Sequence, residues 1–194
     1  MKRFEWTMLA GITLLLGACC EPALVGSTAV NLRPQETNNW CWAATTEMIA
    51  DFLGTPTNQC DLANTRFGMT TCCTAEEQDG CPKNADCNSP GWTMFGELGF
   101  TFQDSVAPLS WGRLKRAIGC GQKPISYAYG PKSGGVGHVV VIYGYAEAGG
   151  QKFVFIKDPW APCTGQDRVI TYEEYSNSGT TDHWVSQFGF YRAS

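Results

Sequence analysis

Gln35-Glu36-Thr37-Asn38-Asn39-Trp40-Cys41-Trp42-Ala43-Ala44 is the stretch on which the reading of this chain turns. A cysteine sits between two tryptophans where a helix begins. Asn38 or Asn39 can cap that helix. Ala44, Met48 and Phe52 recur at four-residue spacing and share one face, and Gly54 and Pro56 stop it. Cys41 therefore falls in or just before the first turn, where unpaired N–H groups favour a negative sulfur. A thiolate attacks where a thiol hardly does, and a helix N-terminus with an imidazolium partner is the usual means of obtaining one.

The chain has only two histidines, His138 and His183. His138 opens the apolar run His138 to Tyr145, rich in β-branched and aromatic residues. Lys152 to Asp158 returns after Gly149-Gly150, so the two runs read as a hairpin. Residues directly opposite in an antiparallel pair point to one face. A five-residue connection, 146–150, places His138 opposite Asp158, and a three-residue loop keeps them on one face. A two-residue Gly149-Gly150 turn separates them. A Cys-His-Asp site thus predicts an odd-length loop. An aspartate beside the histidine would fix its tautomer and stabilise its charged form. His183 has Asp182 as sequence neighbour, which in a strand points the other way, and it reads as a loop or strand-edge residue. Gln35 offers an amide, and Cys41 its own backbone N–H, to a developing oxyanion.

The whole chain bounds what such a site could serve. Its 194 residues make one domain with a substantial core. A net charge of −4 without a Lys/Arg run argues against nucleic acid and against electrostatic membrane binding. Lys2 and Arg3 followed by the apolar run Trp6 to Ala18 read as a signal segment, too short to span as a mature helix. It ends Leu16-Gly17-Ala18-Cys19, which resembles a bacterial lipobox and implies cleavage before Cys19 and acylation of that cysteine. Removing Lys2, Arg3 and Glu5 leaves 12 basic against 17 acidic residues, a net charge of about −5. The expected layout is a signal segment at 1–18, a tether at 19–30 and one domain at 31–194. The expected location is the cell envelope, exported and lipid-anchored.

Cysteine usage agrees with export. With Cys19 assigned to lipid and Cys41 to chemistry, eight cysteines remain, five of them between 60 and 87. In an oxidising compartment Cys60, Cys72, Cys73, Cys81, Cys87, Cys120 and Cys163 read as a disulfide framework of undetermined connectivity. Adjacent Cys72 and Cys73 should take different partners, because a vicinal bridge is strained. Cys20 falls in the tether, where a partner is not assured. The spacings lack paired C-x-x-C knuckles and no histidine lies in the cluster, so no metal is expected, and no cofactor.

Elsewhere, Val30 to Arg33 reads as a short strand. Residues 55–88 read as a turn-rich, cysteine-rich excursion. Ser89-Pro90 reads as a helix start running to Leu98, and Phe100 to Gln103 as a strand. Ser110 caps a helix ending at Gly119. Ile125-Tyr127-Tyr129 alternate as a strand, and Trp184 to Tyr191 closes the sheet. Helices first and antiparallel strands after make an α+β fold.

Gln35, five intervening residues, then Trp40-Cys41-Trp42-Ala43 resembles the N-terminal signature of papain-like cysteine peptidases. Gly137-His138-Val139-Val140-Val141-Ile142 resembles their histidine strand, and Asp158-Pro159-Trp160 the segment with their third triad member and a shielding tryptophan. Gln59-Cys60-Asp61-Leu62-Ala63-Asn64 followed by Cys72-Cys73 resembles a compact bacterial branch of secreted effector proteases. The resemblance implies a helix carrying the cysteine packed on an antiparallel sheet. It implies Cys41 as nucleophile, His138 as base and acid, Asp158 as orienter and Gln35 as oxyanion donor. A monomer acting on a peptide or protein substrate is expected. Two alternatives stay open at this stage: an amidase or acyltransferase on cell-wall peptides, and a non-catalytic, disulfide-rich binding lipoprotein.

Overall fold

The computed structural model describes residues 20–73 and 87–192. The signal segment, the acylation site Cys19 and Cys81 lie outside the described residues. An antiparallel sheet forms the body. It is built from β2 (Phe100–Ser105), β3 (Ile125–Pro131), β4 (His138–Ala148), β5 (Gln151–Asp158), β6 (Gln166–Thr171) and β7 (Thr181–Arg192). Their order across the sheet is β2-β7-β3-β4-β5-β6, with the short β1 (Val25–Ser27) paired to the far end of β4.

Helix α1 (Cys41–Phe52) is buried on almost every side. A helix buried over most of its circumference must sit between two layers, and α1 does, with Glu47 and Asp51 left to pair with Arg33. Met48, Ile49 and Ala50 pack with Val141, Phe95 and Phe190 of the sheet side. Trp40, Trp42 and Ala43 pack with Leu62, Ala63, Cys72, Cys73 and Cys87 of the excursion. The opposite face of the sheet is closed by Leu114 and Ile118 over Val140, Ile142, Val154 and Ile156.

The excursion holds a helix that its turn-rich composition hid. This is α2 (Gln59–Phe67), capped by the Asn58 side chain at the Asp61 N–H and ended by Gly68 in the left-handed region. Cys60–Cys73 and Cys72–Cys87 staple it, so the adjacent cysteines do take different partners. Cys163 is also disulfide-bonded. Loops of 13 and 15 residues are each worth about 3 kcal/mol in the chain-entropy account.

Several expectations are corrected. No helix forms from Ser89 to Leu98: Met94 N–H donates to Thr46 Oγ1 of α1, and only turns follow, with Leu98 N–H on Met94 O and Phe100 N–H on Phe95 O. Val30 to Arg33 is not a strand. The helix after Ser110 is α3 (Trp111–Lys115), which widens into a π-helical turn at Arg116–Cys120. Strand β6 and helix α4 (Tyr172–Ser176) were not foreseen. Neither Asn38 nor Asn39 caps α1, since Trp40 holds that position without a side-chain bond. Asn39 instead bonds Asn88.

Residues 20–30 are no loose tether. Cys20 is bonded to Cys120, Val25 pairs with Ala146, and the Glu147 N–H donates to the Leu24 carbonyl. The physical reason lies in β4, which outruns β3: their pairing ends at Ile125–Ile142. Beyond that point β4 presents unpaired backbone groups, and the N-terminal segment satisfies them.

Candidate active site

The first half of β4 and the last half of β5 bring His138 and Asp158 together, though not as the loop argument required. The turn is the two-residue one, since Ala148 pairs with Gln151. That register alone would set the two side chains on opposite faces. A β-bulge between Ile142 and Gly144 restores them, because Tyr143 is an extra residue with no partner on β5. From Ile142–Ile156 outward the register is shifted by one, and His138 and Asp158 share a face. The Tyr143 carbonyl is not orphaned, because Thr28 donates to it from both its N–H (2.8 Å) and its hydroxyl (3.2 Å).

His138 Nε2 lies 2.6 Å from Asp158 Oδ1. Asp158 is only 2% exposed, and both its oxygens have further partners. The Trp160 N–H donates to Oδ1 at 3.0 Å, and Arg168 Nη1 to Oδ2 at 2.6 Å. Burial works to raise the Asp158 pKa, but the bonds and charge of His138, the Arg168 bond and the Trp160 N–H outweigh it and hold the carboxyl low. Burial likewise opposes charge on His138, yet its bonds to Asp158 and Cys41 carry its pKa up to about 9. With Nε2 committed to Asp158, Nδ1 is the ring nitrogen that meets the thiol. Cys41 is a free cysteine at the first residue of α1, packed against Ala128 and Val139. The Thr45 hydroxyl donates to the Val139 carbonyl and ties helix to strand one turn behind the site.

Gln35 is brought close in a different role from the one expected. It is fully buried, and its amide donates to Thr37 O and Asn38 O, both at 2.8 Å, so its hydrogens are spent on the loop. Its N–H donates to Pro159 O, and its carbonyl accepts from the Cys163 N–H. Gln35 thereby fastens the loop before Cys41 to the segment after Asp158. Trp160 is 46% exposed and lines the cleft, so its backbone rather than its ring serves Asp158. His183 is inside β7, not at its edge, and is stacked on Tyr127. Burial lowers its pKa.

Two residues of the site escaped the sequence. Arg168 sits on β6 two residues beyond Gln166, the partner of Asp158. Tyr129, paired with His138, bonds Arg168 and stands edge-on to the imidazole. The Thr171–Glu174 capping box, which starts α4, was the available signal that a strand ends there.

Cys41 lies at the junction of two cavities. One, of about 370 Å³, is walled by His138, Asp158, Tyr129, Trp160 and Arg168. The other, of about 280 Å³, is walled by Trp92, Trp184, Val136, Gly91 and Arg66. Among the described residues no cluster of side chains could hold a metal ion.

A free thiol at a helix tip, bonded to an imidazole that a buried carboxylate orients, is the equipment of a cysteine hydrolase. The model of the Peptidase_C39 like family matches residues 27–185. The chain belongs to that family. No curated protein sequence matches it. Among solved structures, the chain resembles one described for the mite allergens Blo t 1 and Der p 1. The TM-score is 0.54 at 13% identity, over 90% of this chain and 73% of that one. Digestive procathepsin L 3 of Tenebrio molitor larval midgut aligns over 86% and 71%, at 14% identity and a TM-score of 0.49. The fold of this Peptidase_C39 like protein is the papain-like α+β arrangement. The family and fold make it a cysteine peptidase in kind.

Proposed function

We propose that the protein hydrolyses peptide bonds through an acyl-enzyme on Cys41. The observation that carries this reading is the 2.6 Å contact between His138 and a buried Asp158 at the tip of the helix that bears a free thiol. A histidine pKa of about 9 supports a proton resting on the imidazole at neutral pH, the state that pairs with a thiolate. The sulfur attacks the scissile carbonyl, and an S–C bond forms. His138 Nδ1 gives its proton to the amine as the C–N bond breaks. Water then attacks the thioester, His138 takes its proton, and the acid leaves. The Cys41 N–H, unpaired at the first turn, faces the developing oxyanion. One such donor is worth about a hundred- to a thousand-fold in rate. Gln35 keeps the loop that aims it, and to serve as a second donor its amide would have to give up Thr37 or Asn38.

The bridges Cys20–Cys120, Cys60–Cys73 and Cys72–Cys87, with Cys163 bonded as well, point to an oxidising, extracellular setting. No helix among the described residues is long and apolar enough to cross a membrane. Export with acylation at Cys19, on a bacterial envelope, completes the proposal, with a peptide or protein as substrate.

The test is Cys41→Ala beside wild type. Wild type should cleave casein and take up iodoacetamide at Cys41 alone, and the variant should do neither while keeping its circular dichroism. Lysis of peptidoglycan without casein cleavage would favour an amidase. A Cys41 inert to iodoacetamide in folded protein would refute the nucleophile.

A further inference from the structure

The two lobes of the cleft each contain an arginine, and the two are in different electrostatic states. Arg168 is neutralised by Asp158. Arg66, in the last turn of α2, pairs with no carboxylate among the described residues. Among the described residues no acidic side chain lines its lobe: beside Cys41 the walls are Trp92, Trp184, Val136, Val139, Pro90, Asn39 and glycine backbone.

The position of this guanidinium is built. It lies 5.0 Å above the ring of Trp42, a side chain with no exposure, and 5.9 Å from Phe67. Gly91 permits that approach, since a Cβ there would stand 2.7 Å from Arg66 Nε and 3.0 Å from the Trp42 ring. Stacking on a rigid aromatic floor removes much of the freedom an exposed arginine otherwise has, and leaves a planar fork suited to a carboxylate. The facing wall is equally fixed. Trp184 lies flat on Gly137, where any Cβ would collide with its ring, and Trp92 leans on it at 5.9 Å.

We infer that this lobe is a subsite for an acidic side chain, best filled by glutamate, with Arg66 as the residue that selects it. A glutamate matches both features of the lobe: an apolar stem for the tryptophan walls and an anionic end for the cation. The side of the scissile bond follows from the chemistry. His138 protonates the departing amine, so the leaving group lies in the His138–Trp160 lobe, and the Arg66 lobe receives the acyl side. The inference rests on the peptidase reading and adds a substrate class to it.

The test uses the oxidised, folded protein and fluorogenic peptides. These vary Glu, Gln and Lys at each of the positions N-terminal to the cleaved bond. At one position, kcat/KM for Glu should exceed that for Gln by about ten-fold at low salt, with Lys below both, and the ratio should shrink as salt screens the pair. Arg66→Glu should invert the Glu/Lys order, and Arg66→Gln should level it. Ratios within one enzyme are unaffected by the fraction that folds. Cleavage of the peptides with no Glu preference, or a preference that survives Arg66→Glu, overturns the subsite and leaves the peptidase standing. No cleavage of any peptide, with Cys41 still labelled by iodoacetamide, overturns the peptidase reading and the subsite with it.

Discussion

Replacing Arg168 by methionine should move the alkaline edge of the activity profile upward. Arg168 is a third partner behind the His138–Asp158 pair, bonded to the carboxylate oxygen that His138 does not use. Its charge makes Asp158 less able to hold a proton on the imidazole. Two 2.6 Å bonds and the width of a carboxylate put the guanidinium roughly 7 Å from the imidazole. At an effective dielectric near 20, a unit charge at that range is worth about 2.4 kcal/mol, or roughly 1.7 pK units. The Arg168 side chain is 38% exposed, and solvent screening reduces the effect to about 0.5–1 unit. The His138 pKa, already about 9, should rise by that amount in Arg168→Met, and the alkaline limb of kcat/KM with it. Arg168→Lys, which keeps the charge, should bring the limb back. The assay is kcat/KM against pH on one fluorogenic peptide. A methionine variant whose rate falls while its alkaline limb stays in place would show that Arg168 acts only by packing and would refute the electrostatic argument.

The folded state should lose stability as pH rises. His138 has a folded pKa near 9 against an ordinary 6.5, so its contribution is complete below 6.5 and disappears through 9. The loss is about 3 kcal/mol, read by denaturant midpoints from pH 6 to 10, and it should vanish in His138→Gln. Deleting Tyr143 removes the bulge but leaves Ile142 opposite Ile156, so Cys41 labelling should persist. Deleting Val140 instead turns His138 to the wrong face and should abolish it, and equal labelling in both deletions would contradict the register account. Cys20→Ser with Cys120→Ser opens a loop with a separation of 100 residues. It should cost up to about 4.7 kcal/mol in chemical denaturation without slowing iodoacetamide at Cys41.

The parts of the site that the sequence showed are those whose chemistry is rare in this chain: one cysteine between tryptophans, one histidine opening a strand, one aspartate closing the next. With only two histidines the choice of base was narrow. What stayed hidden was anything decided by a partner far along the chain. The parity of the β4–β5 hairpin depends on a bulge at Tyr143, which is stabilised by Thr28, over a hundred residues away. Arg168 could be found only once β6 was paired. Gln35 read as a donor because its amide is free in sequence, yet folding gives those hydrogens to Thr37 and Asn38. Helix α2 was masked by Cys60, Asp61, Asn64 and Thr65, whose low helix preference the Asn58 cap and the Cys60–Cys73 bridge override.

The bond from Cys20 to Cys120 bears on where the enzyme can work. Should Cys19 carry the lipid, the mooring has no slack, because the next residue is already bolted to the domain. The N-terminal strand and the base of the site sit toward opposite ends of β4, for Val25 pairs with Ala146 while His138 is the first residue of that strand. Eight residues of extended chain at ~3.4 Å each make a rigid ruler of roughly 27 Å. Should the anchor lie there, the base of the site would stand that far along the strand from the braced N-terminal segment.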